Sequence, residues 1–472
     1  MQLGRPIGAV ALLCCLSACM QSLPFAKPGE GADTDVSRRA SSFAQPDAKN
    51  PSAVISTLMQ RQSLLEDGSV YDVVAQSTIS ASARAAEAEL TSAKLRAEAK
   101  SKNWLPTLGP SVSLTDLGDL VAGILIEQVL FDNGRRKAER AFAAADVEVA
   151  AVNLSIDMNE RVETALSLYV SGLRGSEKAA VGTRALSRMY EFERIVLGRV
   201  EGGVSDRADL NVVQSKINGM RSAVATAKDA TSTATAELKA ITGQSFAETP
   251  SHLQLASPPE AGTYLTVLKA EAEATRSVEQ AKMERAGLLP QVSAAGNVTS
   301  DGSGAGLTLD LAQPFGLGTP AALKAIEASK EIAKRQVSEV EEDARRDYSR
   351  QMQRLASYRR QEAEAATLAQ TSRETYRLFQ AQFKAGQRSV MDVVSIYEEV
   401  VRREHAHIDA KYEVVLIQLA LASDMGLLAD GDRIWVTLIA RQMTPYCGPS
   451  PQPPARRMML HAAAAVNLYS VL

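Results

Sequence analysis

Gly203-Val204-Ser205-Asp206-Arg207-Ala208-Asp209 and Gly386-Gln387-Arg388-Ser389-Val390-Met391-Asp392 each place a glycine six positions ahead of an aspartate. Each stretch divides two long segments that lack proline, 135–201 from 205–243 and 320–385 from 389–425, apart from Pro320 in a first turn. Such segments are helical, and the glycines mark the reversals between them. Leu210, Val213, Ile217, Met220 and Val224 are spaced three and four apart. That spacing is a coiled-coil seam, narrower than the apolar stripe of a globular helix.

The same shift, about 184 residues, extends beyond the two reversals. Leu105-Pro106 recurs as Leu289-Pro290, and Gly243 recurs as Gly426. Gln128, Phe131 and Gly134 recur within one or two positions as Gln313, Phe315 and Gly318. The chain therefore contains two copies of one structural unit. In each, a stretch rich in Ala, Glu and Arg (70–103, then 262–288) predicts a helix, and Leu-Pro stops it. Strands are expected at 111–115 and 121–131, then at 291–299 and 305–311. Leu307, Leu309 and Leu311 alternate with Thr308 and Asp310, so one face is greasy and the other wet. Asp301-Gly302-Ser303-Gly304 reads as a turn. Outgoing helices at 135–201 and 320–385 would each span roughly 100 Å at about 1.5 Å per residue. The return helix and the Ala/Glu/Arg-rich helix together match that length, which predicts two half-length helices stacked end to end beside each long one.

The 472 residues carry 52 basic and 55 acidic groups, with 45% hydrophobic and only 5% aromatic residues. This balance excludes global disorder and offers no basic footprint for nucleic acid, so no nucleic-acid partner is expected. Arg5, the apolar stretch Ala9 to Leu16 and Leu16-Ser17-Ala18-Cys19 together read as a secretory signal over 1–18. Beyond it, no apolar run approaches the roughly 20 residues of a spanning helix. Residues 19–65, rich in Pro, Ser, Gly, Ala and Asp, read as a flexible tether. Repeat one is expected at 66–245, repeat two at 246–430, and a final segment with a Pro-rich tail at 431–472. Only Cys447 would remain as a free thiol of the mature chain.

Four short strands with a greasy face cannot stand alone in lipid, where only helices and closed barrels satisfy the backbone. Closure then requires several chains: two give eight strands and three give twelve, with three favouring a wide lumen. Trp104, Phe131 and Phe315 fall at strand ends, where an interfacial aromatic girdle belongs.

Over roughly residues 65–430 the chain resembles the TolC-like outer-membrane efflux and secretion channels. The resemblance rests on Gln128-Val129-Leu130-Phe131-Asp132-Asn133-Gly134-Arg135, on Gly386-Gln387-Arg388-Ser389-Val390-Met391-Asp392, and on Tyr412 to Gly426. It implies a mainly α fold with a small β part: a homotrimer whose twelve-stranded β-barrel, four strands per chain, continues into a long periplasmic α-helical barrel. It also implies docking to a periplasmic adaptor and an inner-membrane pump or ABC exporter. The Leu16-Ser17-Ala18-Cys19 segment resembles a lipoprotein cleavage box, which implies acylation of Cys19. Met20, which follows it, implies outer-membrane lipid as the anchor.

By the same resemblance, Gly203, Val204, Ser205, Gly386, Gln387 and Ser389 form the tips that meet the adaptor. Asp392 matches an acidic ring that narrows the periplasmic entrance, and Arg388 is a candidate inter-helix latch. Two positions depart from the pattern: Ser395 stands where enteric members carry a second Asp, and Phe383 replaces a Tyr. The gate should therefore hold less negative charge.

Two rival readings are a periplasmic adaptor lipoprotein and a periplasmic lipoprotein hydrolase. The first would carry a lipoyl-like or small barrel module, and the second a clustered nucleophile or metal motif; neither is found. No cofactor is expected. His405 and His407, two apart on a helix, diverge and read as solvated, as does the charged face Glu339 to Arg346.

Overall fold

A computed structural model describes residues 52–81, 85–115, 119–246, 264–299, 302–311 and 316–434. In chain order the elements are α1 (Ala53–Met59), α2 (Val70–Ala81), α3 (Ala85–Ser101), β1 (Thr107–Thr115), β2 (Asp119–Phe131), α4 (Arg135–Glu201) and α5 (Arg207–Thr242). They continue as α6 (Leu265–Gly287), β3 (Gln291–Thr299), β4 (Gly302–Asp310), α7 (Thr319–Lys384) and α8 (Val390–Asp424). The order helix, two strands, long helix, return helix occurs twice, as the repeat predicts.

α4 has 67 residues and α7 has 66, each about 100 Å long. Pro320 sits in the first turn of α7, where its missing N–H deprives no carbonyl of a partner. The predicted seam is real: Val213, Ile217 and Val224 of α5 are buried, and Leu210 and Met220 partly so. Leu210, Val213, Ile217 and Met220 pack with Met189, Phe192 and Val196 of α4 and with Val390, Val393 and Val394 of α8. α3 and α6 flank the first half of α4, through Lys100 to Glu139 and Arg276 to Asp146. α5 and α8 flank its second half, through Gln214 to Glu193 and Lys178 to Asp409.

The end-to-end stacking also holds for α8 and α6. Gly426, in the left-handed region at φ +66°, closes α8, and a Cβ there would lie 2.8 Å from the Leu265 side chain. α6 thus begins where α8 ends, and both lie along α7 through Tyr264, Val267, Leu421, Met425 and Ala344.

The last part of the expected tether is ordered helix. Ile55 and Leu58 of α1 are buried, Ser52 caps the helix, and its hydroxyl donates to Glu148 of α4 at 2.6 Å. Ser63 N–H donates to Asp430 at 2.7 Å and Gly431 N–H to the Arg61 carbonyl at 2.9 Å. Val54, Ile55 and Leu58 supply the apolar spacing that the Pro- and Ser-rich composition of the neighbouring residues masked. Asn159 of α4 accepts from the N–H groups of Leu428 and Ala429 at 3.0 and 3.2 Å, which ties the end of repeat two to the middle of repeat one.

β1 to β4 form one antiparallel sheet in sequence order. Three strands start earlier than expected, β2 by only two residues, at Asp119. β1 begins at Thr107 and includes Gly109 and Pro110, residues poor in strand propensity. β4 begins at Gly302, paired with Thr299, so Gly302 to Gly304 belong to the strand rather than to the turn.

Candidate functional site

Cross-strand register sorts the sheet into two faces. Leu108 opposes Ile126, Pro110 opposes Ile124, Ile124 opposes Val298, Ala294 opposes Leu307 and Val292 opposes Leu309. These positions share one face, and it is exposed: Leu108 by 71%, Leu307 by 72% and Leu309 by 68%. The opposite face carries Thr107, Ser111, Glu127, Asn297, Ser293, Thr308 and Asp310. There the Ser293 and Thr308 hydroxyls share a hydrogen bond of 2.6 Å. Among the described residues, the outer edges of β1 and β4 pair with no other strand. An exposed apolar face of this extent with two unpaired edges is a surface that calls for both a cover and pairing partners.

At the helical end of the sheet, a register shift between Val129 and Phe131 interrupts the β2 ladder just before its last pair, Phe131 with Val292. The chain turns through Asn133 at φ 52° and Gly134 at φ 85° into α4. The Asn133 amide donates to the Pro290 carbonyl at 2.7 Å, locking one repeat's corner to the other's. Asp132 substitutes for the missing N-cap, accepting from the N–H groups of Gly134 and Arg136. Trp104 and Phe131 lie at this same end, 61% and 59% exposed, and the Gln128 amide donates to the Trp104 carbonyl at 2.9 Å. Phe315 lies outside the described residues, as does Cys19.

At the far end of the long helices, the two predicted reversals have the same backbone. Val204 N–H donates to the Arg199 carbonyl and Gly203 N–H to that of Val200; Gln387 N–H donates to Gln382 and Gly386 N–H to Phe383. Each is a Schellman motif, with glycine in the left-handed region at φ 73° and 74°. Val204 is exposed at the first tip, where Arg199 Nε donates to Ser205 at 3.2 Å.

The second tip carries the gate candidates. Ser389 and Asp392 form a capping box: Asp392 N–H donates to the Ser389 hydroxyl oxygen, while Asp392 accepts from Ser389 N–H and Oγ–H at 3.1 and 2.8 Å. The Ser389 hydroxyl first, and its backbone N–H second, hold the Asp392 carboxyl below the ordinary carboxylate range. Asp392 and Ser395 are both exposed, one turn apart on α8. Arg388 reaches back to its own hairpin: Nε donates to Gln382 at 3.1 Å and the guanidinium sits 4.2 Å from the Phe379 ring centre. Within the chain, Arg388 and Asp392 therefore have separate partners.

Sequence reasoning missed the ties between the two hairpins. Lys178 of α4 binds Asp409 of α8 at 3.0 and 2.9 Å, and Glu177 accepts from Lys411 at 2.9 Å and from Tyr412 at 2.8 Å. The expected solvated His405 is also corrected. Its Nε2 is buried against α4 without a hydrogen-bond partner, whereas His407 points toward Glu362, 3.8 Å away, so the two rings do diverge.

No protein-family model and no curated protein matches the chain. Solved structures do match its fold. The outer membrane protein VceC of Vibrio cholerae superposes with a TM-score of 0.64 at 13% identity, covering 75% of this chain and 96% of VceC. A membrane protein of Pseudomonas aeruginosa gives 0.68 at 16% identity, with 87% and 99% covered. The open-state MtrE outer membrane channel of Neisseria gonorrhoeae gives 0.62 at 15% identity, with 77% and 90% covered. The chain therefore has the TolC-like fold: mainly α, tandemly repeated, with one small four-stranded sheet.

Proposed function

We propose that this chain is one third of a trimeric outer-membrane duct through which a tripartite efflux or type I secretion system discharges its cargo. The observation that carries this reading is the four-stranded sheet, apolar on one face, polar on the other, and open at both edges. Three copies joined edge to edge give twelve strands with the Leu108, Ile124, Leu307 and Leu309 face toward lipid and the Thr107, Asn297 and Thr308 face toward water. The likeness in fold to outer membrane channels supports this. Among the described residues no helix is long and apolar enough to cross a membrane, so the sheet is the membrane-spanning part in this reading.

α4, α5, α7 and α8 then form the periplasmic barrel, whose Gly203 and Gly386 tips meet an adaptor, with an inner-membrane pump or ABC exporter beyond it. Val204, Ser205, Gln387 and Ser389 are the docking contacts. Asp392 rings the entrance, Ser395 leaves that ring weakly charged, and Arg388 steadies the tip. Acylation of Cys19 would add a lipid anchor. The duct is passive, and its chemistry is that of a pore lining. Cross-linking and heat-modifiability of the protein in outer-membrane fractions test the assembly. A trimer that dissociates only on heating supports it, and a monomer in the soluble periplasmic fraction refutes it.

A further inference from the structure

A cleft of about 600 Å³ opens between the two hairpins, bounded by α4, α5 and α8. The α4 wall carries Arg174 and Lys178, the α8 wall His405 and Asp409, and the α5 wall only glycine, alanine and hydroxyl side chains. Arg174 is half-buried and has no hydrogen-bond or ion-pair partner among the described residues. His405 Nε2 is buried without a partner. Lys178 spends two of its three N–H donors on Asp409, at 3.0 and 2.9 Å, which leaves one. Glu404, the other carboxylate near His405, is held from the far side by Arg373 at 2.6 Å. The cleft thus has unspent cationic donors and no free carboxylate.

We propose that this cleft binds a small tetrahedral dianion, a phosphate or phosphomonoester, held by the Arg174 fork, the spare Lys178 donor and His405. Ser171, Ser222 and Thr226 line the same space and supply hydroxyls to the remaining oxygens. Ala223, Ala227 and Ala230 form an apolar wall suited to the organic body of a monoester. Burial first and the Lys178 cation second hold His405 below the ordinary imidazole range. An anion in contact with it reverses that balance, so binding takes up a proton and tightens as pH falls.

Calorimetric titration of the full-length protein in detergent, in a buffer free of oxyanions, tests this directly. Inorganic phosphate should bind, phenyl phosphate more tightly, and acetate should not compete. Sulfate, whose charge is constant between about pH 6 and pH 8, isolates the imidazole: it should bind more tightly at the lower pH, and His405→Gln should abolish that difference. Arg174→Gln should weaken phosphate binding about tenfold or more. Should that variant fail to fold, Arg174→Lys, which keeps the charge and loses the fork, should still weaken it measurably. Absence of phosphate binding, equal affinity in the Arg174 variants, or equal competition by acetate would each overturn the proposal. The readout is independent of conductance, so its failure leaves the duct reading standing.

Discussion

Tyr412 of α8 donates its hydroxyl to Glu177 of α4 across 2.8 Å, with Lys411 donating to the same carboxylate oxygen at 2.9 Å. The contact joins the hairpin of repeat one to that of repeat two. It is a tie between halves of the chain that are related by duplication but must be held together by specific chemistry. Removing only the hydroxyl, by Tyr412→Phe, should cost about 1 kcal/mol. Glu177→Ala leaves two donors without their acceptor and should cost about 2 kcal/mol or more. Denaturant midpoints of the detergent-solubilised protein check both, and equal costs would mean that the carboxylate does not unite the two donors.

The capping box at the second tip has a pH signature. Ser389 lowers the Asp392 pKa, so this contribution to stability is complete above the ordinary carboxylate pKa and is lost as pH falls through the lowered value. Ser389→Ala should cost about 1 kcal/mol. Hydrogen exchange at the Val390 to Val394 amides should accelerate in that variant and lose its acid dependence. Unchanged protection would mean that the helix start is held by packing alone.

The proposed gate role of Asp392 and Arg388 gives two electrical predictions. Asp392→Asn should weaken cation preference, read as a shift of reversal potential toward zero in a salt gradient. Arg388→Ala removes both the Gln382 and the Phe379 contact and should raise single-channel conductance by loosening the tip. An unaltered conductance would show that Arg388 has no part in the constriction.

Glu163 predicts a pH effect of the opposite sign. Burial, the leading cause, raises its pKa, and the nearby Asp424 and Glu160 carboxylates add to the rise. In the window between the unfolded and the raised folded value the native state binds more protons, so stability falls as pH rises through it. Glu163→Gln should stabilise the protein at neutral pH and flatten this part of its stability profile, as followed by thermal melts from about pH 5 to pH 8.

Much of the fold was legible because the repeat carries its own punctuation. Gly203, Gly386, Gly243 and Gly426 all adopt the left-handed backbone that only glycine adopts at little cost, so helix ends fell within a few residues of expectation. Leu-Pro marked the helix-to-strand junctions for the reason that proline excludes helix before it. The starts of β1 and β4 were obscured by Gly109, Pro110, Gly302 and Gly304, residues that signal turns locally although here they lie within paired strands. The ordered α1 was hidden inside a composition typical of linkers. Arg174 and His405, the two unsatisfied groups of the cleft, are more than two hundred residues apart in sequence. Only the packing of α8 on α4 brings them together, and helical periodicity does not encode a contact between repeats.

In the proposed trimer these sheets close into a wall around water. Single-channel recording of the purified protein in planar bilayers tests it most directly, with a charged substitution on the greasy face, Leu307→Arg, as the internal control. The wild type should give discrete, long-lived conductance steps, and the variant should fail to insert. A wild-type protein that stays monomeric and never conducts would contradict it.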